Sequence, residues 1–258
     1  MSLAASLRRL LGHSWVLGLI GVLSVVLAWS AISATGLVDR LFLPSPAAVL
    51  AAGQAQAAQG LLWKDLVASV GRVFTGFALS ALVSLPLGIA MGANRLVCQL
   101  LEPLMGLIRY MPAPAFIPLL IIYFGLGELP KVMLIFIGTL FFNTLMIMDA
   151  VKFVPSELIE TALTLGGRPS HVIRRVIAPC IAPQVLDAYR INMASAWNLV
   201  IVAELVAATD GLGKRISLAQ RFLRTDEIFV GLIVIGLIGL LIDLGFRLLM
   251  RRACAWAN

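Results

Sequence analysis

Apolar residues in this chain come in long unbroken runs rather than in alternation. A spanning helix needs roughly 20 mainly apolar residues, whereas a barrel strand alternates apolar and polar over about ten. The runs therefore predict membrane helices. The first, HSWVLGLIGVLSVVLAWSAISATG (13–36), extends through Ile32, longer than a typical signal core, so a retained span is preferred to a cleaved signal peptide. LFLPSPAAVLAAGQAQAAQGLLWKD follows; it is too polar to span and reads as a short extended stretch and then an amphipathic interfacial helix. Further spans are predicted at 66–92, 96–124, 131–151, 183–207 and 228–250. The third contains RYMPAPAFIP, three prolines and an arginine, which predicts a helix kinked or broken at mid-depth. Such backbone is tolerated in a bilayer only where protein or a water-filled cavity covers it. No repeat or low-complexity linker divides the chain, so 1–258 reads as one all-α, polytopic membrane domain of about six helices.

Six spans put both termini on one side. With the N-terminus in the cytoplasm, Arg8, Arg9, Arg95, Lys152, Arg168, Arg174, Arg175, Arg247, Arg251 and Arg252 lie inside. Arg40, Lys64, Lys131, Lys214, Arg215, Arg221 and Arg224 lie outside. The excess of cytoplasmic Lys and Arg favours this orientation, although four of the outer residues share the loop 208–227.

Composition supports the lipid setting and removes several function classes. Of 258 residues, 60% are hydrophobic and 13% charged, with a mean hydropathy of +0.99. The net charge of +7 invites a nucleic-acid reading, but the basic residues sit at the ends of apolar runs and form no basic face interleaved with aromatics. Cys98, Cys180 and Cys254 form neither a C-x-x-C pair nor a metal-ligand spacing, and are expected as free thiols without a metal. No nucleotide-binding G-x-x-x-x-G-K-[ST] loop, H-E-x-x-H or G-x-S-x-G occurs, which argues against a membrane-embedded enzyme.

The polar segment 155–179 faces the cytoplasm in this topology. Ser156 after Pro155 is its expected N-cap, with Glu157 and Glu160 in the first turn, where carboxylates complement the helix dipole. Leu158, Ala162 and Leu165, with Ile159 and Leu163 beside them, make an apolar stripe. Gly166 and Gly167 stop this helix; Pro169 suits the start of a second, which Pro179 is expected to end. By composition alone the pair is either a loop helix packed on its own bundle or a knob offered to a soluble partner.

The spacing adds more. Glu160, Ala162, Gly166 and Pro179 fit the register E-A-A, three residues, G, nine residues, I-x-L-P, with Thr161, Val176 and Ala178 as departures. The segment resembles the signature of transmembrane permease subunits of bacterial ABC importers. From about Leu41 to Arg252 the chain is most similar to the permeases for nitrate, bicarbonate, taurine and alkanesulfonates, through FLPSP, RYMPAPAFIPLLIIYFGLGE and AWNLVIVAELVAATDGLG. The resemblance implies a type I importer permease fold and a homodimer of permeases. It also implies a dimer of cytoplasmic ATPase subunits holding ATP and Mg, and an extracytoplasmic binding protein that delivers substrate. This chain would then bind no cofactor itself. Its ATPase-coupling residues would be Glu157, Glu160, Thr161, Ala162, Gly166, Gly167, Arg168 and Pro179. A secondary transporter or channel is the alternative, though no inverted repeat or charge relay stands out.

Polar groups within the spans are candidates for the translocation path, because charge is costly at membrane depth. Arg109, beside the broken stretch, either faces the path of an anion or snorkels and bonds freed carbonyls. Asn143, Asn192, Ser195 and Asn198 either line the path or stitch helices together. Glu204 is a gate or a helix-end bond. Asp243 is expected to pair with Arg247, and Arg190 to serve structure. The expected substrate is a small oxyanion, a sulfonate such as taurine first, then nitrate or bicarbonate.

Overall fold

The computed structural model describes residues 14–257, and among them every regular element is helical. Arg8 and Arg9 of the orientation count, and His13 at the start of the first run, lie outside the described residues. In chain order the helices are α1 (Ser14–Thr35), α2 (Pro46–Ala58), α3 (Leu61–Ala93), α4 (Arg95–Arg109), α5 (Ile117–Phe124) and α6 (Glu128–Lys152). They continue as α7 (Ser156–Thr164), α8 (Pro169–Val172), α9 (Ala178–Ala207), α10 (Leu212–Arg221) and α11 (Thr225–Ala253). Among the described residues, α1, α3, α6 and α11 are long and apolar enough to cross a membrane. The bent pair from α4 to α5 makes a fifth if counted as one span. The 30-residue α9 carries Asp187, Arg190 and Glu204, which dilute its apolar run.

The chain divides into two compact units, one holding the described residues up to Leu62 with Arg215–Leu232, the other Trp63–Lys214 with the residues from Ile233 on. In the first, Ser45 caps α2 by accepting from the Ala48 amide at 3.2 Å, and Pro46 opens the helix with φ already set. The Trp29 indole donates to the Pro44 carbonyl at 3.0 Å and its ring stacks on Phe229 at 5.2 Å.

The second unit is organised around α3, α6 and α9. Gly76, Ser80, Ser84, Gly88 and Gly92 recur every four residues on α3, and α6 lies directly against this stripe. A Cβ on Gly76 would stand 2.7 Å from the Val132 carbonyl, and one on Gly88 2.7 Å from the Ile147 Cβ. Membrane helices gain most of their association from such close backbone approach, since lipid is as apolar as leucine. Pro86 sits inside α3. Five residues earlier the Ala81 carbonyl accepts from Tyr189 of α9 at 2.9 Å and from Ser84, which ties α3 to α9 just before the proline.

The proline-rich stretch breaks as expected: α4 ends at Arg109, a short turn of 3-10 helix covers Ala113–Phe116, and the two halves meet at 88°. Beyond the break, Ile117 and Leu120 of α5 pack with Leu134 of α6 and Ala203 of α9, while Tyr110 and Met111 at the break itself are exposed. Gly125, at φ +76°, then ends α5.

Candidate functional site

One end of the second unit carries the segment between α6 and α9. The α7 helix starts at Ser156 with Pro155 in the cap position and no side-chain cap, so Ser156 is the first helical residue rather than the N-cap. Only Glu157 lies in the first turn; Glu160 comes a turn later, beyond the reach of the orphan amides. The apolar stripe splits as the helix docks. Ile159 and Ala162 pack on a core of Val151, Val154, Val172 and Ile177, while Leu158, Leu163 and Leu165 stay exposed.

Gly166 and Gly167 close α7 with a pair of reversed bonds. The Gly167 amide donates to the Ala162 carbonyl at 2.9 Å and the Gly166 amide to Leu163 at 2.9 Å. This Schellman arrangement places Gly166 at φ +82°, where a Cβ is disfavoured, and a Cβ on Gly167 would lie 2.5 Å from the Ala162 carbonyl oxygen. Two of the motif positions, Ala162 and Gly166, are thus joined through one cap. The departure at Thr161 is absorbed locally, because its hydroxyl donates to the Glu157 carbonyl at 2.6 Å on its own helix. Exposed Leu165, Gly166 and His171, together with Arg175, line a concavity of about 420 Å3 that opens beside the two helices. Glu157, Glu160 and Arg168 are also exposed.

The expected stop at Pro179 does not occur. From Pro169 the chain passes through a π-helical turn at Ile173–Ile177 directly into α9, which runs to Ala207 with Pro179 and Pro183 inside it. A proline ring collides with the carbonyl one turn back in a regular helix; the wider π turn falls where that collision would arise. The sequence has no marker for this local unwinding, so helix 169–178 and span 183–207 read as two elements where there is one.

At mid-depth, Asn192 of α9 donates to Asn143 of α6 at 2.7 Å, and Asn143 donates to Ser80 of α3 at 3.2 Å. All three are buried, so the pair Asn143 and Asn192 joins three helices. Ser195 and Asn198 instead lie on the exposed face of α9 with Ile191 and Ala194, and neither makes a side-chain hydrogen bond within the described chain. Arg109 is exposed at the bend, its guanidinium over the Tyr110 ring at 5.2 Å, and is not brought to the asparagines. Asp243 pairs with Arg247 at 2.7 Å as expected, and also with Arg190, which bridges it to Asp187.

At the other end of α6, Glu204 belongs to a buried ion network. Fully buried, it accepts from Ser69, from Arg72 at 2.7 Å and from the Gly213 amide at 2.8 Å. Arg72, 4% exposed, uses all five N–H groups: two toward Glu128, one toward Glu204, one toward the Asp210 carbonyl and one toward the Asp210 carboxylate. The loop 208–213 closes over it, with the Gly211 amide on Asp65 and the Leu212 amide on Ser69. Gly211 sits at φ +117°, and a Cβ there would meet Arg72 Nη1 at 2.6 Å. Ser69, Arg72, Glu128, Lys131 and Asp210 are absent from the sequence-based candidates. One signal was available for Arg72, a charge deep in an apolar run.

Known proteins resemble this chain over most of its length. Residues 84–253 match the family described as binding-protein-dependent transport system inner membrane component. The taurine transport system permease protein TauC of Escherichia coli (strain K12) is 36% identical over 243 residues, 92% of this chain and 88% of that one. The bicarbonate transport system permease protein CmpB of Synechocystis is 27% identical, covering 90% of this chain and 86% of that one. Among solved structures, an inward-facing MetNI methionine ABC transporter superposes with a TM-score of 0.67 at 19% identity, over 74% of this chain and 95% of that chain, and so shares the fold. The chain is therefore a multi-pass inner-membrane protein belonging to the permease subunits of ABC importers, a transport subunit whose ATPase is a separate chain.

Proposed function

We propose that this permease carries a small oxyanion, a sulfonate such as taurine first and nitrate or bicarbonate next, with α7 and α8 inserted into a cytoplasmic ATPase dimer. The single observation that carries the coupling assignment is the Gly166–Gly167 cap, which fixes Glu160, Ala162 and the exposed leucines as one rigid knob. Closure of the ATPases on ATP and Mg pulls this knob, and the unbroken run from Pro169 to Ala207 passes the movement along α9. Both termini are cytoplasmic, and the six spans act as one permease domain. Glu157, Thr161, Gly167, Arg168 and Pro179 complete the contact or its support.

A second copy of this chain faces the first across α9, and an extracytoplasmic binding protein supplies the cargo. The support for this is the exposure of Ser195 and Asn198: polar groups with no partner on a membrane helix belong against protein or a water-filled path. Arg109, Asn143, Asn192 and Glu204 are the remaining path candidates, and only Arg109 of these is exposed on the single chain.

The test is co-purification of this permease with its co-expressed ATPase, followed by uptake in proteoliposomes with the binding protein. Gly166→Val and Glu160→Lys are expected to insert normally while ATP hydrolysis no longer drives uptake. Undiminished uptake in both variants would sink the coupling assignment, and a wild-type chain that transports without the ATPase would favour a secondary carrier.

A further inference from the structure

Arg72 and Lys131 are buried to 4% and 3% exposure, yet the acid that joins them, Glu128, is 60% exposed. Lysine is almost never so deeply buried without a partner, and Glu128 is the one partner of the Lys131 ammonium among the described residues.

Glu128 sits as a bound anion would. Its Oε2 accepts from Arg72 Nε at 2.5 Å and its Oε1 from Arg72 Nη2 at 2.9 Å, a two-pronged clasp, and Oε1 also accepts from Lys131 Nζ at 2.7 Å. The other edge of the guanidinium is held independently by Glu204 at 2.7 Å and by the Asp210 carboxylate and carbonyl. Arg72 therefore stays in position when Glu128 leaves. Glu128 is able to leave: it opens α6 behind Gly125-Leu126-Gly127, where Gly125 has φ +76° and Gly127 caps the helix without a side chain.

We infer that Arg72 and Lys131 form a receiving site for an oxyanion at the Glu204 end of the bundle, and that Glu128 is its resident stand-in, displaced when the anion arrives. Sulfonate, bicarbonate and nitrate all present two oxygens to a guanidinium fork as a carboxylate does. Departure of Glu128 without replacement leaves a buried ammonium unpaired, so the site favours exchange over vacancy. That the anion is cargo rests on the oxyanion-permease reading above; the site itself rests on the geometry.

The test uses the full-length permease in nanodiscs, titrated calorimetrically with methanesulfonate, and with methylammonium as the cation control. The wild-type chain is expected to bind methanesulfonate weakly and saturably. Glu128→Ala is expected to bind it about tenfold more tightly, a change of about 1.4 kcal/mol. Lys131→Met is expected to remove the wild-type binding and, added to Glu128→Ala, the gain, while methylammonium binds none of these proteins. Should Glu128→Ala fail to fold, the isosteric Glu128→Gln is expected to show a smaller gain. No saturable binding to wild type, no gain in a folded Glu128 variant, or a gain that survives Lys131→Met each overturns the site. Capture of the ATPase by the same preparations separates the two claims. ATPase captured with no anion gain sinks only this site; a gain without ATPase capture sinks the coupling assignment and leaves the site standing.

Discussion

The two ends of α6 solve opposite problems. At Lys152 it hands over to a segment whose shape is fixed by backbone, through a glycine at φ +82° and amides folded back on Ala162 and Leu163, with Leu158, Leu163 and Leu165 left exposed. At Glu128 the shape of the neighbouring loop is fixed by side chains, with Asp65, Ser69, Arg72 and Glu204 reaching in to hold Asp210 and three successive amides. A charged knot in apolar surroundings is stable only when every group in it is answered.

That contrast orders the consequences of mutation. The largest loss of stability is expected for Arg72→Met, which strips the buried Glu204 of its cation and should lower unfolding free energy by about 3–5 kcal/mol. Thermal unfolding in detergent reads this directly, and a loss smaller than that of Gly166→Val would break the comparison. Gly166→Val forces a branched residue to positive φ and is expected to lose about 1–2 kcal/mol, with coupling lost as well. Asn143→Ala cuts the bridge from Ser80 to Asn192 and is expected to lose about 1 kcal/mol, with little effect on ATPase capture. Glu160→Lys, on the exposed face of α7, is expected to leave the unfolding midpoint where it was while abolishing ATPase capture. A shift in its midpoint as large as that of Gly166→Val would mean that Glu160 supports the fold.

The same contrast explains what was legible in the sequence. Gly166 and Gly167 could be read as a helix stop because a backbone cap has local grammar: a glycine is needed at one place and its carbonyl partners lie three to five residues away. The break at Met111–Pro112 was visible for the same reason. The Arg72 network was not, since its members lie at 65–72, 128–131 and 204–213, and nothing in any one of these stretches names the others. Asn143 and Asn192 left two roles open by sequence; their mutual bond is a tertiary fact. The π turn before α9 was equally hidden, because Pro179 argues for an ending wherever the preceding turn is taken as regular.

The glycine and serine stripe on α3 has a consequence for where cargo travels. From Gly76 to Gly92 the backbone of α3 lies so near α6 that the space for a single added carbon is already taken by Ile135, Ile147 and Val151. No ion, hydrated or bare, passes between these two helices without prying them apart along about 24 Å of their length. The seam is a wall, and the polar groups Ser195 and Asn198 stand away from it on an exposed face of α9.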